Sequence, residues 1–175
     1  MAAEGQNGSK MLDEMPEYRI FELLKKYHYT LTTAESATGG MIASTLINVP
    51  GISAFFTEGY VTYSNEAKVK MIHVKPETIE RYGVVSAETA ADMAVSAART
   101  ADTDAALSVT GVAGPDGGTR ECPVGLVDIG CCLHGRVVTE RHLFAGDRMQ
   151  VRKSATDAAL HLLCLLYTSD AADDL

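Results

Sequence analysis

No apolar run in this chain approaches the roughly 20 residues that a membrane-spanning helix needs, so no helical membrane span is expected. The first ten residues, Met1 to Lys10, are polar and lack the apolar core of a signal peptide, which makes the cytoplasm the expected compartment. Cysteine is scarce: there are four, with no C-x-x-C pair and no metal-ligand spacing. Cys131 and Cys132 are adjacent in a β-prone run and so point to opposite faces, which keeps them from bridging each other. Cys122 falls in a loop and Cys164 in a helical apolar pattern, and all four read as reduced thiols. The histidines His28, His73, His134, His142 and His161 are scattered without pairing, so neither a metal nor any other cofactor is called for. Positive charge is also short. Fifteen Lys and Arg against 23 Asp and Glu give a formal net charge of −8, which argues against non-specific nucleic-acid binding. A small phosphorylated ligand, which needs only a few local donors, stays open.

What is present is an ordinary globular composition, 46% hydrophobic and 22% charged in 175 residues, enough for one domain with a full core. Residues 1–13 read as a flexible leader, 14–167 as the domain and the acidic stretch 168–175 as a flexible tail. Pro16 suits the first turn of a helix whose apolar face carries Ile20, Phe21, Leu24 and Tyr27. Tyr29 to Ala34 reads as a strand, followed by a helix ending near Asn48 and a second β-prone run from Ala54 to Tyr63. Ser64 starts a helix, Pro76 to Tyr82 makes a short one, and Ser86 caps an Ala-rich helix to about Arg99. Asp104 to Thr110 is a buried strand by its apolar run. Val124 to Leu133 and Arg136 to Phe144 form a hairpin through His134-Gly135. A last helix runs from about Asp147 to Tyr167. This alternation predicts an α/β fold with helices on both faces of a mixed sheet.

Three stretches carry candidate chemistry, each just past a predicted strand, and in such sheets ligands bind outside the carboxyl ends of strands. In Glu35-Ser36-Ala37-Thr38-Gly39-Gly40, a serine stands where a helix begins. It reads either as an N-cap or as a nucleophile beside N–H groups that stabilise an oxyanion. In Tyr63-Ser64-Asn65-Glu66-Ala67-Lys68, Tyr63 and Lys68 occupy N′ and N4 if Ser64 is the cap, so a phenol and an amine meet across one helical turn. The alternative is a packed Tyr and an exposed Lys. The loop Gly111 to Gly118 (Gly-Val-Ala-Gly-Pro-Asp-Gly-Gly) could cradle an anion with its N–H groups. It is neither G-x-G-x-x-G nor G-x-x-x-x-G-K-S/T, which sets aside Rossmann and P-loop nucleotide binding.

Taken together with Val85-Ser86-Ala87-Glu88-Thr89-Ala90, Pro123-Val124-Gly125 and Phe144-Ala145-Gly146-Asp147-Arg148, these stretches resemble the CinA C-terminal domain family over roughly Phe21 to Leu166. The resemblance implies a homodimeric, metal-free three-layer α/β/α sandwich with a mixed sheet. It also implies nicotinamide-nucleotide amidase activity, converting nicotinamide mononucleotide and water to nicotinic acid mononucleotide and ammonia. The family's nucleophile falls on Ser36 and its Tyr and Lys partners on Tyr63 and Lys68. With no His–Asp pair in sight, Lys68 is the expected base, and its ammonium must lose its proton through burial or nearby positive charge. Tyr63 is expected to orient Lys68 or relay a proton. N–H groups near Thr38 and Gly39 are expected to form the oxyanion hole, with Glu35 and Gly40 also at the substrate. Thr110, Gly111, Ala113 and Gly114 are expected to hold the ribose phosphate. Arg148 is expected to add charge, from its own subunit or from across the dimer. Two departures stand out: Cys122 occupies a position often Lys in the family, and the nucleotide-processing domain that often precedes this one is missing, so its activity is not expected here. A nucleotide-sensing module without turnover, and an amidase for another small amide, remain alternatives.

Overall fold

A computed structural model describes the backbone of residues 15–173 and the side chains of residues 15–168; the expected leader, 1–13, lies outside the described residues. In chain order the elements are α1 (Pro16–Tyr27), β1 (Leu31–Glu35), α2 (Met41–Leu46), β2 (Tyr60–Val61), α3 (Asn65–Ile72) and α4 (Pro76–Tyr82). They continue with α5 (Ala87–Ala101), β3 (Ala105–Gly111), β4 (Leu126–Leu133), β5 (Arg136–Leu143) and α6 (Arg148–Asp173). The strands form one sheet in the order β2-β1-β3-β4-β5. β2 and β3 both run parallel to β1, whereas β4 runs antiparallel to β3 and to β5. β1, β2, β3 and β5 therefore all end on one rim.

Helices cover both faces, as the alternation of element types predicts. One face buries Ile20 and Leu24 of α1, Ile42 and Leu46 of α2 and Val151, Ala155 and Leu163 of α6 against Leu31, Leu107, Val109, Ile129 and Cys131. The other buries Met93, Ala94 and Ala97 of α5 and Ile72 of α3 against Ala34, Ala106 and Cys132. Cys131 and Cys132 thus point into opposite cores, as the pleat demands. α5 lies close on the sheet at Ala90: the Ser108 hydroxyl donates to the Ala90 carbonyl at 2.6 Å, and a Cβ at Gly130 would sit 2.5 Å from that same oxygen.

Two expectations need correction. The run from Ala54 to Tyr63 is not a full strand: only Tyr60–Val61 pair with β1, after a 3₁₀ turn at Ile52–Ala54. Its β-prone aromatics are used otherwise, since Phe55 packs edge-on against Phe21 of α1 at 5.9 Å and Phe56 is buried in the core. High β-propensity describes side chains suited to a half-buried surface, and a helix–loop interface offers one too. The last helix also passes its expected end at Tyr167 and stays helical to Asp173, into the expected tail. No described helix is long and apolar enough to cross a membrane.

Candidate active site

Ser36 is the first residue beyond β1, and its N–H donates to the Val109 carbonyl of β3 at 3.0 Å, so the sheet ladder itself fixes its position. It is not a helix cap. α2 starts five residues later behind Gly40, which is left-handed (φ 98°) and has no capping side chain. The acceptor for that helix end is Glu35. One carboxylate oxygen takes the N–H of Gly40 (3.1 Å), the N–H of Ile42 (3.0 Å) and the Thr38 hydroxyl (2.7 Å), and the other takes the N–H of Ala43 (2.9 Å). A carboxylate here satisfies the orphan donors of the first turn and complements the helix dipole. Glu35 is 1% exposed and Thr38 is fully buried, so both side chains are turned to the helix; for Glu35 this departs from its expected place at the substrate.

Lys68 comes from the first turn of α3. Ser64 caps that helix as predicted, accepting the Ala67 N–H at 3.0 Å. The amine is not exposed, and its bonds go to Ser36 and Thr62, not to the phenol. Lys68 is 1% exposed, and its Nζ lies 3.3 Å from Ser36 Oγ and donates to the Thr62 carbonyl at 2.8 Å. Burial without a carboxylate partner disfavours the ammonium and pulls its pKa down from 10.5 to about 8. A serine hydroxyl and a lysine amine 32 residues apart are thereby brought together, with the amine far easier to deprotonate than an exposed lysine.

Both open into a cleft of about 260 Å³ on the common strand-end rim, which Ala37, Tyr63, Asn65, Val84, Val85, Thr110, Gly111, Ala113 and Arg148 also line. Among the described residues, its walls carry two cations, Lys68 and Arg148, and no carboxylate. In a chain of net charge −8 that local surplus favours an anionic ligand. Arg148 stands at the first position of α6. Asp147 and Gln150 fix that helix start reciprocally: Gln150 N–H donates to Asp147 Oδ1 (2.9 Å) and Asp147 N–H donates to Gln150 Oε1 (2.7 Å), a capping box. From there Arg148 donates to the Gly114 carbonyl (2.6 Å) and to the Tyr63 hydroxyl (3.1 Å), all within one chain. Arg148 thus reaches the cleft without a second subunit.

Other expected contacts are redistributed. Tyr63, 64% exposed, gives its hydroxyl to Arg148 and not to Lys68. The N–H of Gly39 is taken by the Ser36 carbonyl (3.0 Å) and so is not free for an oxyanion, whereas no described residue accepts the N–H of Thr38. No described residue accepts the N–H of Ala37, which does line the cleft. Thr110 lines the cleft but donates its hydroxyl to the Val84 carbonyl at 2.7 Å. Gly114 stands behind the lining, where a Cβ would collide with Val124. Cys122 lies with its Sγ 3.9 Å from the carbonyl of Val85, a residue of the cleft wall.

Sequence reading missed Arg152. From α6 its Nε donates to the Ala37 carbonyl (3.0 Å) and its Nη2 to the Thr38 carbonyl (2.9 Å), clamping the turn that follows Ser36. Gly39 lets it come this close, since a Cβ there would sit 3.3 Å from Nη2 in a backbone of φ 59°. The signal was available: Arg152 is four residues past Arg148, so the two share a helix face.

The matching family model is the CinA C-terminal domain, over residues 13–166. A relative from Alkaliphilus metalliredigens, named for competence-damage induction, is 51% identical over 156 residues, 89% of this chain and 37% of its own. A CinA-like protein of Kosmotoga olearia is 47% identical over 153 residues, covering 87% of this chain and 36% of its own. The chain spans little more than a third of the length of these curated relatives. Among solved structures, a competence or damage-inducible protein from Enterobacter asburiae superposes with a TM-score of 0.84 at 33% identity. It covers 87% of this chain and 96% of that one. One from Agrobacterium tumefaciens gives 0.84 at 37% identity, over 89% and 94%.

Proposed function

The chain belongs to the CinA C-terminal domain family, and from that premise we propose that it is a cytoplasmic nicotinamide-nucleotide amidase working through a serine acyl-enzyme. The observation that carries the proposal is the buried Lys68 amine, 3.3 Å from Ser36 Oγ, with its pKa drawn down to about 8. A general base must be within hydrogen-bond reach of the proton it takes and titrate near the working pH. Lys68 meets both demands.

The reaction is written in two steps. Neutral Lys68 takes the Ser36 proton as Oγ attacks the carboxamide carbon, and the ammonium so formed returns that proton to the departing nitrogen as the C–N bond breaks. Ammonia leaves and an ester on Ser36 remains. Water then attacks the ester, giving a proton to Lys68, which passes it back to Oγ as the nicotinate is released. In this reading the Ala37 N–H, on a residue of the cleft wall and without an acceptor among the described residues, donates to the carbonyl oxygen as it gains charge. Arg148, with Gly111 and Ala113 on the same wall, takes the 5′-phosphate. A homodimer belongs to the same proposal, although Arg148 serves its own cleft.

The test is an ammonia assay with nicotinamide mononucleotide beside a binding titration. The proposal expects turnover that requires the nucleotide; binding without ammonia identifies instead a nucleotide-sensing module.

A further inference from the structure

Tyr63 sits within the chemistry-bearing stretch, yet its hydroxyl bonds to Arg148 and not to the serine or the amine. It accepts from Arg148 Nη2 at 3.1 Å, while Arg148 Nη1 donates to the Gly114 carbonyl at 2.6 Å. The guanidinium therefore bridges two cleft walls, the segment between β2 and α3 on one side and the loop after β3 on the other. Its own backbone is held at the start of α6 by the Asp147/Gln150 capping box. An Arg fork is useful to an anion only if its plane is set beforehand, since an unrestrained guanidinium loses rotamer freedom on binding. The two acceptors do this setting, and with five N–H donors in the fork, three are left over for a ligand.

From this geometry we propose that Tyr63 is a positioning residue for Arg148, orienting its guanidinium toward the anionic group of the substrate, and is not a proton relay to Lys68. The inference rests on the amidase reading for the identity of that anion, the 5′-phosphate. It makes Tyr63 a determinant of specificity for the phosphorylated over the unphosphorylated nicotinamide riboside, with the amine–serine pair unaffected by its loss. Lys68 keeps its Thr62 carbonyl and its burial whether or not the phenol is there.

The test is Tyr63→Phe, which deletes one oxygen from a largely exposed ring and spares the fold. With nicotinamide mononucleotide the KM should rise about 5- to 10-fold, the size of one lost bond to a charged group at a partly solvated site. kcat and the pH dependence of kcat should match the wild type, and with nicotinamide riboside the two proteins should behave alike. Adding Tyr63→Phe to Arg148→Lys should cost no more than Arg148→Lys alone, because the two act as a unit. A fall in kcat with a displaced pH limb, an equal loss on nucleotide and riboside, or an unchanged KM would each overturn the assignment. Calorimetric titration of nicotinamide mononucleotide into Ser36→Ala and Ser36→Ala/Tyr63→Phe reads the same difference without turnover. A chain that binds more weakly without the phenol but releases no ammonia would thus overturn the amidase reading and leave the positioning role standing.

Discussion

Replacing Lys68 by methionine separates what this amine does for catalysis from what it does to stability, and the two effects run in opposite directions. Met fills much of the same volume without a charge. In the wild type, burial lowers the folded-state pKa from 10.5 to about 8, a difference of about 3 kcal/mol at 1.36 kcal/mol per pH unit. The folded pKa lies below the unfolded one, so between pH 8 and 10.5 the unfolded chain binds more protons and wild-type stability rises with pH. Below about pH 8 the cost of the buried ammonium is fully present, and above about 10.5 it is gone. The lost bond to the Thr62 carbonyl is independent of pH and cancels from the slope, as do other groups shared by both proteins. Urea unfolding of both proteins across pH 7 to 10.5 should therefore show the wild type gaining about 3 kcal/mol relative to Lys68→Met. Over the same series, turnover by Lys68→Met should fall roughly 10²-fold or more. Wild-type kcat should climb with a midpoint near pH 8 toward a plateau above about pH 9, with about a tenth of the amine neutral at pH 7. Parallel stability curves would mean that the amine titrates as an ordinary exposed lysine, and the argument for it as the base would collapse.

Two other substitutions probe the turn behind the nucleophile. Arg152→Ala removes both donors to the Ala37 and Thr38 carbonyls, so it should lower stability by about 2 kcal/mol and reduce kcat more than it raises KM; thermal unfolding and steady-state kinetics check this. Glu35→Ala strips four donors of their acceptor in a buried site and should cost about 3 kcal/mol or more in urea unfolding, whereas a loss of nucleotide affinity with stability intact would return Glu35 to the ligand.

The sequence reveals the layered architecture because apolar periodicity and capping residues act locally: Ser64 and Ser86 cap the helices they precede, and the hairpin turns at His134-Gly135. The rim was legible for the same reason, since three candidate stretches follow strands that prove mutually parallel. What local reasoning could not give is which hydrogen-bond partner a polar group finds when several compete. Glu35 was expected at the substrate through the family resemblance, and only the folded backbone shows that four donors converge on it. Tyr63 and Lys68 share a helix mouth in the sequence, but the amine turns inward to Ser36 and the phenol outward to Arg148, 85 residues away. The Ala54 to Tyr63 run failed differently, because aromatic residues that would suit a strand were recruited to the core beside α1.

The account stands most directly on a covalent bond between Ser36 and the substrate's acyl carbon. Rapid acid quench of the protein during turnover of nicotinamide mononucleotide, followed by peptide mapping in a mass spectrometer, should find the nicotinoyl nucleotide esterified to the Ser36 peptide, and Ser36→Ala should carry no adduct and release no ammonia while still binding nucleotide. Ammonia released by Ser36→Ala at the wild-type rate, or an adduct on a different residue, would contradict it.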